Sequence, residues 1–229
     1  MAMASHGNQQ GELPLLWSLC STLVGLGYPV AVLDATTAES ADNPGLEHLL
    51  DDAYSKDGDD CDPLSWTVIP AAHGLQRLCS QPSSDHGLAV DPLAGLFPSF
   101  GVIVIYAGTE ILTRLLPGSG IAPLLTVTPA KASSVTAYQA LKKMLLNAQL
   151  RPTVANITSK PLSTSSLADQ SPIKKLQECA MTFLDYQFDS LAIRVLQSQK
   201  CRSDDMNRLA WRLLENALPL QRHHFEGSH

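Results

Sequence analysis

His6-Gly7-Asn8-Gln9-Gln10-Gly11-Glu12-Leu13-Pro14, then the apolar stretch Leu15 to Leu26, Gly27, and Pro29-Val30-Ala31-Val32-Leu33-Asp34 are the segments that decide the fold. The first run is polar and holds two glycines, so it reads as a loop. Pro14 suits a first helical turn, where a missing N–H costs nothing because those donors have no intrahelical partner. The spacing after it predicts a helix over 15–26, with Gly27 as its stop. Residues 30–33 are apolar at consecutive positions, the pattern of a strand buried on both faces of a parallel sheet. That strand ends in an acid, Asp34.

Working outward, the same rhythm repeats. Trp66-Thr67-Val68-Ile69-Pro70 reads as a strand, and Gly101-Val102-Ile103-Val104-Ile105-Tyr106 as a stronger, central one because it is continuously apolar and β-branched. Ala122 to Thr128 and Thr153 to Ile157 are two further strands, separated by a helix over 133–147. Periodicity predicts helices over 173–186 and 204–217, with a short strand, Leu191 to Val195, between them. Apolar strands alternating with helices predict an α/β fold: a mostly parallel sheet with helices on both faces. Residues 1–222 are expected to form one domain and 223–229 a flexible tail.

Composition narrows the function. The 229 residues are 45% hydrophobic and 17% charged, ordinary for a globular chain. Sixteen basic against 22 acidic residues give a net charge of -6, the wrong sign for a chain that neutralises many phosphates, so direct nucleic-acid binding is not expected. The five cysteines show no CxxC spacing and fit a reducing cytoplasm better than a disulfide framework or a zinc site. The aspartates between Asp51 and Asp62 lack the ordered spacing and closing glutamate of a calcium loop, and read as a solvated loop. No metal site is expected. No apolar stretch reaches the ~18 residues of a spanning helix.

The segment Ser5 to Asp34 resembles the opening of MinD/ParA-type P-loop ATPases in its spacing, which implies a P-loop NTPase-like fold. The resemblance places Gly11 at the last loop glycine, Glu12 at the phosphate-binding lysine, and Leu13 and Pro14 at the two hydroxyl residues. Gly7 falls where this deviant Walker family carries its additional signature lysine. The lysine offsets phosphate charge and the first hydroxyl helps hold Mg²⁺; Glu12 would repel both phosphates. The strand Val102 to Ile105 resembles the Walker B strand, with Tyr106 at the position of its terminal aspartate. Asp34 and Ala35 match the start of the Asp-Ala-Asp segment, and Thr36 replaces its second acid. Asp34 reads as a helix cap or loop anchor and is given no catalytic role.

Further on, Thr126-Val127-Thr128-Pro129 with Ser133, Ala137-Tyr138 and Leu141-Lys142 is similar to the strand, loop and helix of flagellar-number regulators in the MinD branch; Ala130, Lys131 and Thr136 depart from that pattern. Asn156 matches the asparagine that contacts adenine in the family, and by itself reads as a turn former closing its strand. The degenerate nucleotide site implied by the resemblance therefore comprises Gly7, Gly11, Glu12, Asp34, Tyr106 and Asn156.

The last helix is amphipathic. Leu209, Trp211, Leu213 and Leu214, near Arg208, Arg212 and Arg222, invite comparison with the membrane-binding helix of MinD, or mark a partner helix; packing on the sheet is the favoured reading.

The resemblance with its three coordinated losses implies a pseudo-ATPase without a cofactor: a regulatory or scaffolding protein binding a protein partner in placing or controlling a flagellum, pilus or cellulose-secretion apparatus. The expected partner is a MinD/ParA-like ATPase or a secretion or flagellar component, with a dimer as a further expectation. A cytoplasmic location follows, with peripheral attachment to the inner membrane as the variant. The competing reading is a residual nucleotide binder or weak ATPase, whose loop amides between Gly7 and Gly11 still cradle phosphate.

Overall fold

The computed structural model describes residues 1–7, 9–51, 65–80, 88–130, 132–158, 171–195 and 202–220. Residues 52–64, which hold most of the aspartate-rich segment, and the tail from residue 221 onward lie outside the described residues.

Seven strands form one sheet: β1 (Ala2–Ser5), β2 (Val30–Asp34), β3 (Trp66–Pro70), β4 (Val102–Gly108), β5 (Leu124–Val127), β6 (Thr153–Thr158) and β7 (Ser190–Arg194). Every pairing is parallel, and the order is β3-β2-β4-β1-β5-β6-β7. The helices are α1 (Gln9–Gly25), α2 (Leu46–Asp51), α3 (Ala72–Ser80), α4 (Leu93–Leu96), α5 (Thr109–Leu115), α6 (Ser133–Ala148), α7 (Pro172–Leu184) and α8 (Ser203–Glu215).

Side chains alternate across the sheet because successive Cβ atoms point to opposite faces. Ala31 and Leu33 of β2, Ile105 and Ala107 of β4, and Leu125 and Val127 of β5 enter one core layer, with residues of α2, α3, α5, α6 and α7. Val30, Val32, Val104, Tyr106 and Leu124 enter the other, built with α1 and α8. The expected α/β architecture with helices on both faces is what the chain adopts.

Three local expectations differ. The central strand is β1, where no strand was expected: Ala2-Met3-Ala4-Ser5 is four residues of weak β propensity, yet Ala2, Met3 and Ala4 are all buried. Its position between β4 and β5 is set by tertiary packing. Second, α1 begins at Gln9 rather than Leu15, so Gly11 and Glu12 are helical and Pro14 lies inside the helix. Pro14 forgoes one backbone bond, and its carbonyl accepts from the Ser18 hydroxyl at 2.8 Å. Third, β4 continues through Tyr106 to Gly108.

The end of α1 follows the stop signal. Gly27 has φ +90°, a conformation L side chains rarely adopt. The Tyr28 N–H bonds the Leu23 carbonyl at 3.0 Å and the Gly27 N–H the Val24 carbonyl at 2.9 Å, the paired bonds of a Schellman end. The chain then enters β2 directly.

Candidate functional site

From β1 the chain runs outward to β2 and β3, returns to β4, and then crosses to β5 on the far side of β1. In open α/β sheets the carboxyl ends of the strands beside such a reversal form the crevice where ligands bind. The chain brings His6, just past β1, Glu12 of α1, Tyr106 of β4, Asp34 ending β2, and Thr126 of β5 to this edge.

Glu12 is fully buried. Its Oε1 accepts the His6 backbone N–H at 3.2 Å and its Oε2 accepts the Tyr106 hydroxyl at 2.7 Å. The His6 ring Nε2 stands 3.4 Å from Oε1. Burying a carboxylate without partners would cost several kcal/mol, and these donors offset that cost. The Tyr106 phenol is fully buried and its pKa is pushed well above the usual tyrosine range, first by burial and then by the bond to Glu12 and the charges of Glu12 and Asp34, against a lowering bond from Ser5. It therefore stays protonated and donates.

His6 ties this carboxylate to the other half of the sheet. Its Nε2 is 2.9 Å from the Thr126 carbonyl and its Nδ1 is 3.0 Å from the Thr136 hydroxyl on α6. A carbonyl can only accept, so Nε2 carries the hydrogen. His6, Thr126 and Thr136 had no assigned role in the sequence reading. They are 120 and 130 residues apart along the chain, and no local pattern links them. No described buried side-chain nitrogen or oxygen lacks a hydrogen-bond partner.

The other expected positions fall as follows. Gly7 takes φ +91° in the turn between β1 and α1, whereas Gly11 is the third residue of α1 and not a loop glycine. Asp34 accepts from the Thr36 N–H at 2.8 Å, the Thr36 hydroxyl at 2.7 Å and the Thr37 hydroxyl at 2.8 Å, so its carboxylate anchors the turn after β2. Asn156 neither closes its strand nor joins the cluster. It is paired in register with Val127 and Ala192 inside β6, two residues short of the strand end. It sits three strands from Tyr106, roughly 14 Å at the usual spacing between neighbours.

On α8, Leu209 and Leu213 are buried in the core shared with α1 and β7, and Leu214 packs partly against it. Packing on the domain, the favoured reading of this stripe, accounts for these leucines, and Leu209 and Leu213 have no free face for a membrane or partner contact. Trp211 alone of the four faces outward, half exposed. Among the described residues no helix is long and apolar enough to cross a membrane, and no group of three metal-ligating side chains could hold an ion.

No protein-family model matches the chain, and no curated protein sequence matches it. Solved structures do. MinD cell division protein from Aquifex aeolicus aligns at TM-score 0.55 and 14% identity over 96% of this chain and 98% of that one. The MinC:MinD cell division protein complex of the same organism gives TM-score 0.55 and 15% identity over 97% and 98%.

This is a MinD/ParA-like fold. Cobyrinic acid a,c-diamide synthase from Mycobacterium smegmatis, solved with a bound ATP analog and magnesium, shares the MinD/ParA-like architecture at TM-score 0.55 and 15% identity, over 93% of each chain. The likeness extends over nearly the whole length of these proteins, and it is one of fold.

Proposed function

We propose that this chain is a non-catalytic protein of MinD/ParA-like fold that binds a protein partner in placing or controlling a cell-surface apparatus, a flagellum, pilus or cellulose-secretion machine. The observation that carries the reading is the Glu12 carboxylate, buried at the switch point and held by the His6 N–H and the Tyr106 hydroxyl. An amide of the β1–α1 turn that could face a phosphate is engaged by the chain's own anion, and α1 starts two residues after Gly7.

A magnesium-bound nucleotide fits these residues poorly. Glu12 contributes negative charge where a phosphate needs positive charge, Tyr106 holds its proton and offers no carboxylate toward a metal, and Asp34 is engaged by Thr36 and Thr37. Retention of the fold without that chemistry leaves its surfaces as the functional part. One neighbour by fold was solved as a MinC:MinD complex, which supports protein association as a use of this architecture.

The test is a pair of measurements on the purified chain. Magnesium-dependent ATP hydrolysis should be absent, and ATP should leave the melting temperature unchanged, since a ligand that binds only the folded state raises it. A saturable ATP-dependent rise in melting temperature overturns the proposal in favour of a nucleotide binder.

A further inference from the structure

At the opposite edge of the sheet from Glu12, a cleft of about 1140 Å³ opens beneath the amino ends of β5, β6 and β7. Its walls come from the loop before β5, the end of α6, the segment between α7 and β7, and the last turn of α8. Arg151 and Arg212 both line it and both are exposed. Neither guanidinium has an acidic partner among the described residues. Asp189 is the one acidic side chain on the lining, so the cleft carries a local positive excess on a chain of net charge -6. The carbonyl ends of α6 and α8 open on this edge and bring partial negative charge to the floor.

The cleft also has an apolar side. Tyr186 and Phe188 stack with centroids 6.0 Å apart, and the charge of Arg151 reaches the Tyr186 phenol. Leu146, on the lining, is 64% exposed. In the loop before β5, Gly118 and Gly120 have open space where a Cβ would stand, so another backbone can approach closely. The volume of about 1140 Å³ exceeds the roughly 300–1,000 Å³ of small-ligand pockets, as a site for a chain segment would. Two arginines without an acidic partner among the described residues, beside the half-buried Tyr186 and the exposed Leu146, are the composition of a protein-binding surface.

We infer that this amino-edge cleft receives an acidic peptide segment of a partner protein, with carboxylates at Arg151 and Arg212 and an apolar side chain against the Tyr186–Phe188 wall. The inference rests on the partner-binding reading above and adds the surface and the chemistry of the partner. Charge complementarity of this kind raises association rate and selects against basic partners.

The test uses the full chain and two fluorescein-labelled peptides of equal length, one alternating Glu with Leu and carrying a central Phe, the other with Lys in place of Glu. Fluorescence anisotropy should show saturable binding of the acidic peptide alone, weakening with salt. Amide shifts should fall in residues 117–122, 147–153 and 186–191. Arg151→Glu with Arg212→Glu should weaken binding by about tenfold or more, as loss and reversal of interfacial charge does; Val68→Ala, exposed on β3 at the far side of the sheet, should not. Both arginines are exposed, so circular dichroism should be unchanged. Equal binding of both peptides, no binding, or an unaffected double arginine variant overturns the cleft. Shifts at His6 to Gly11 instead would overturn the cleft while leaving partner binding itself standing.

Discussion

The hydroxyl of Tyr106 and the carboxylate of Glu12, 94 residues apart in the chain, meet at 2.7 Å between the central sheet and the first helix. Both are fully buried, so the bond forms where water cannot replace either partner. Tyr106→Phe removes the donor and leaves Glu12 with one bond fewer in a dry site. A loss of about 1–3 kcal/mol is expected, the usual cost of an unsatisfied buried acceptor, read as a lower urea midpoint. Glu12→Gln, which keeps the shape and drops the charge, should lose less than Glu12→Ala. An unchanged midpoint for Tyr106→Phe would show that the bond does not contribute to stability.

A second ion site joins β7 to α8. Asp205 is buried; burial alone would raise its pKa, but bonds from the Arg194 side chain and backbone and from Arg208 overcome this and hold the carboxyl below its ordinary value. A lowered folded-state pKa means that the contribution is fully present above the unfolded pKa, roughly 4 for aspartate. It is lost as pH falls through the folded value. Asp205→Asn should therefore reduce stability at neutral pH and flatten the decline in melting temperature on the acid side. Parallel acid limbs for the two proteins would count against this account.

Two glycines sit where no side chain fits. A Cβ on Gly45 would lie 2.1 Å from the Pro70 carbonyl oxygen, and one on Gly74 would lie 2.7 Å from Leu46 Cβ. The neighbour of Gly45 is backbone at the end of β3 and cannot turn aside. Gly45→Ala should destabilise by about 1–3 kcal/mol or more, as overpacking does, with a lowered melting temperature as the readout. Gly74→Ala should destabilise as well, because the Leu46 Cβ is fixed by its backbone and the Glu47 backbone N lies 2.8 Å from the added carbon.

On α8, neighbouring positions should behave oppositely. Leu213 is 3% exposed and Trp211 51%. Leu213→Ala is expected to cost about 2–5 kcal/mol through lost burial and the cavity left behind. Trp211→Ala should fall within about 0.5 kcal/mol of the parent, as exposed substitutions do. Comparable losses in urea denaturation would mean that the outer face of α8 is packed as well.

Much of the fold was legible because its strands announce themselves: Val30 to Leu33 and Val102 to Ile105 are continuous apolar runs, and Gly27 marks a helix end by backbone geometry that few other residues adopt. The strand at the centre was not, since Ala2 to Ser5 carries no β-branched side chain and gains its place only from the strands around it. The start of α1 was hidden by Gln9-Gln10-Gly11, whose composition suits a loop. Glu12 stood out as an acid at a position the resemblance assigns to a cation. Its partners did not, because the contact of His6 with Thr126 and Thr136 closes only after β5 has taken its place beside β1. Asn156, read as closing its strand, stands inside β6 because the run continues to Thr158.

The pairing of β1 has a mechanical consequence. Along β4 it is in register at four positions, from Ala2 with Ile105 to Ser5 with Gly108, but along β5 at one, Met3 with Leu124. The sheet is thus two plates, β3-β2-β4-β1 and β5-β6-β7, joined by a narrow backbone seam. His6, reaching from the end of β1 to Thr126 and Thr136, acts as a rivet across that seam, and Glu12 braces the rivet from behind. The cross-link belongs to the chain itself and is made with no ligand between the plates.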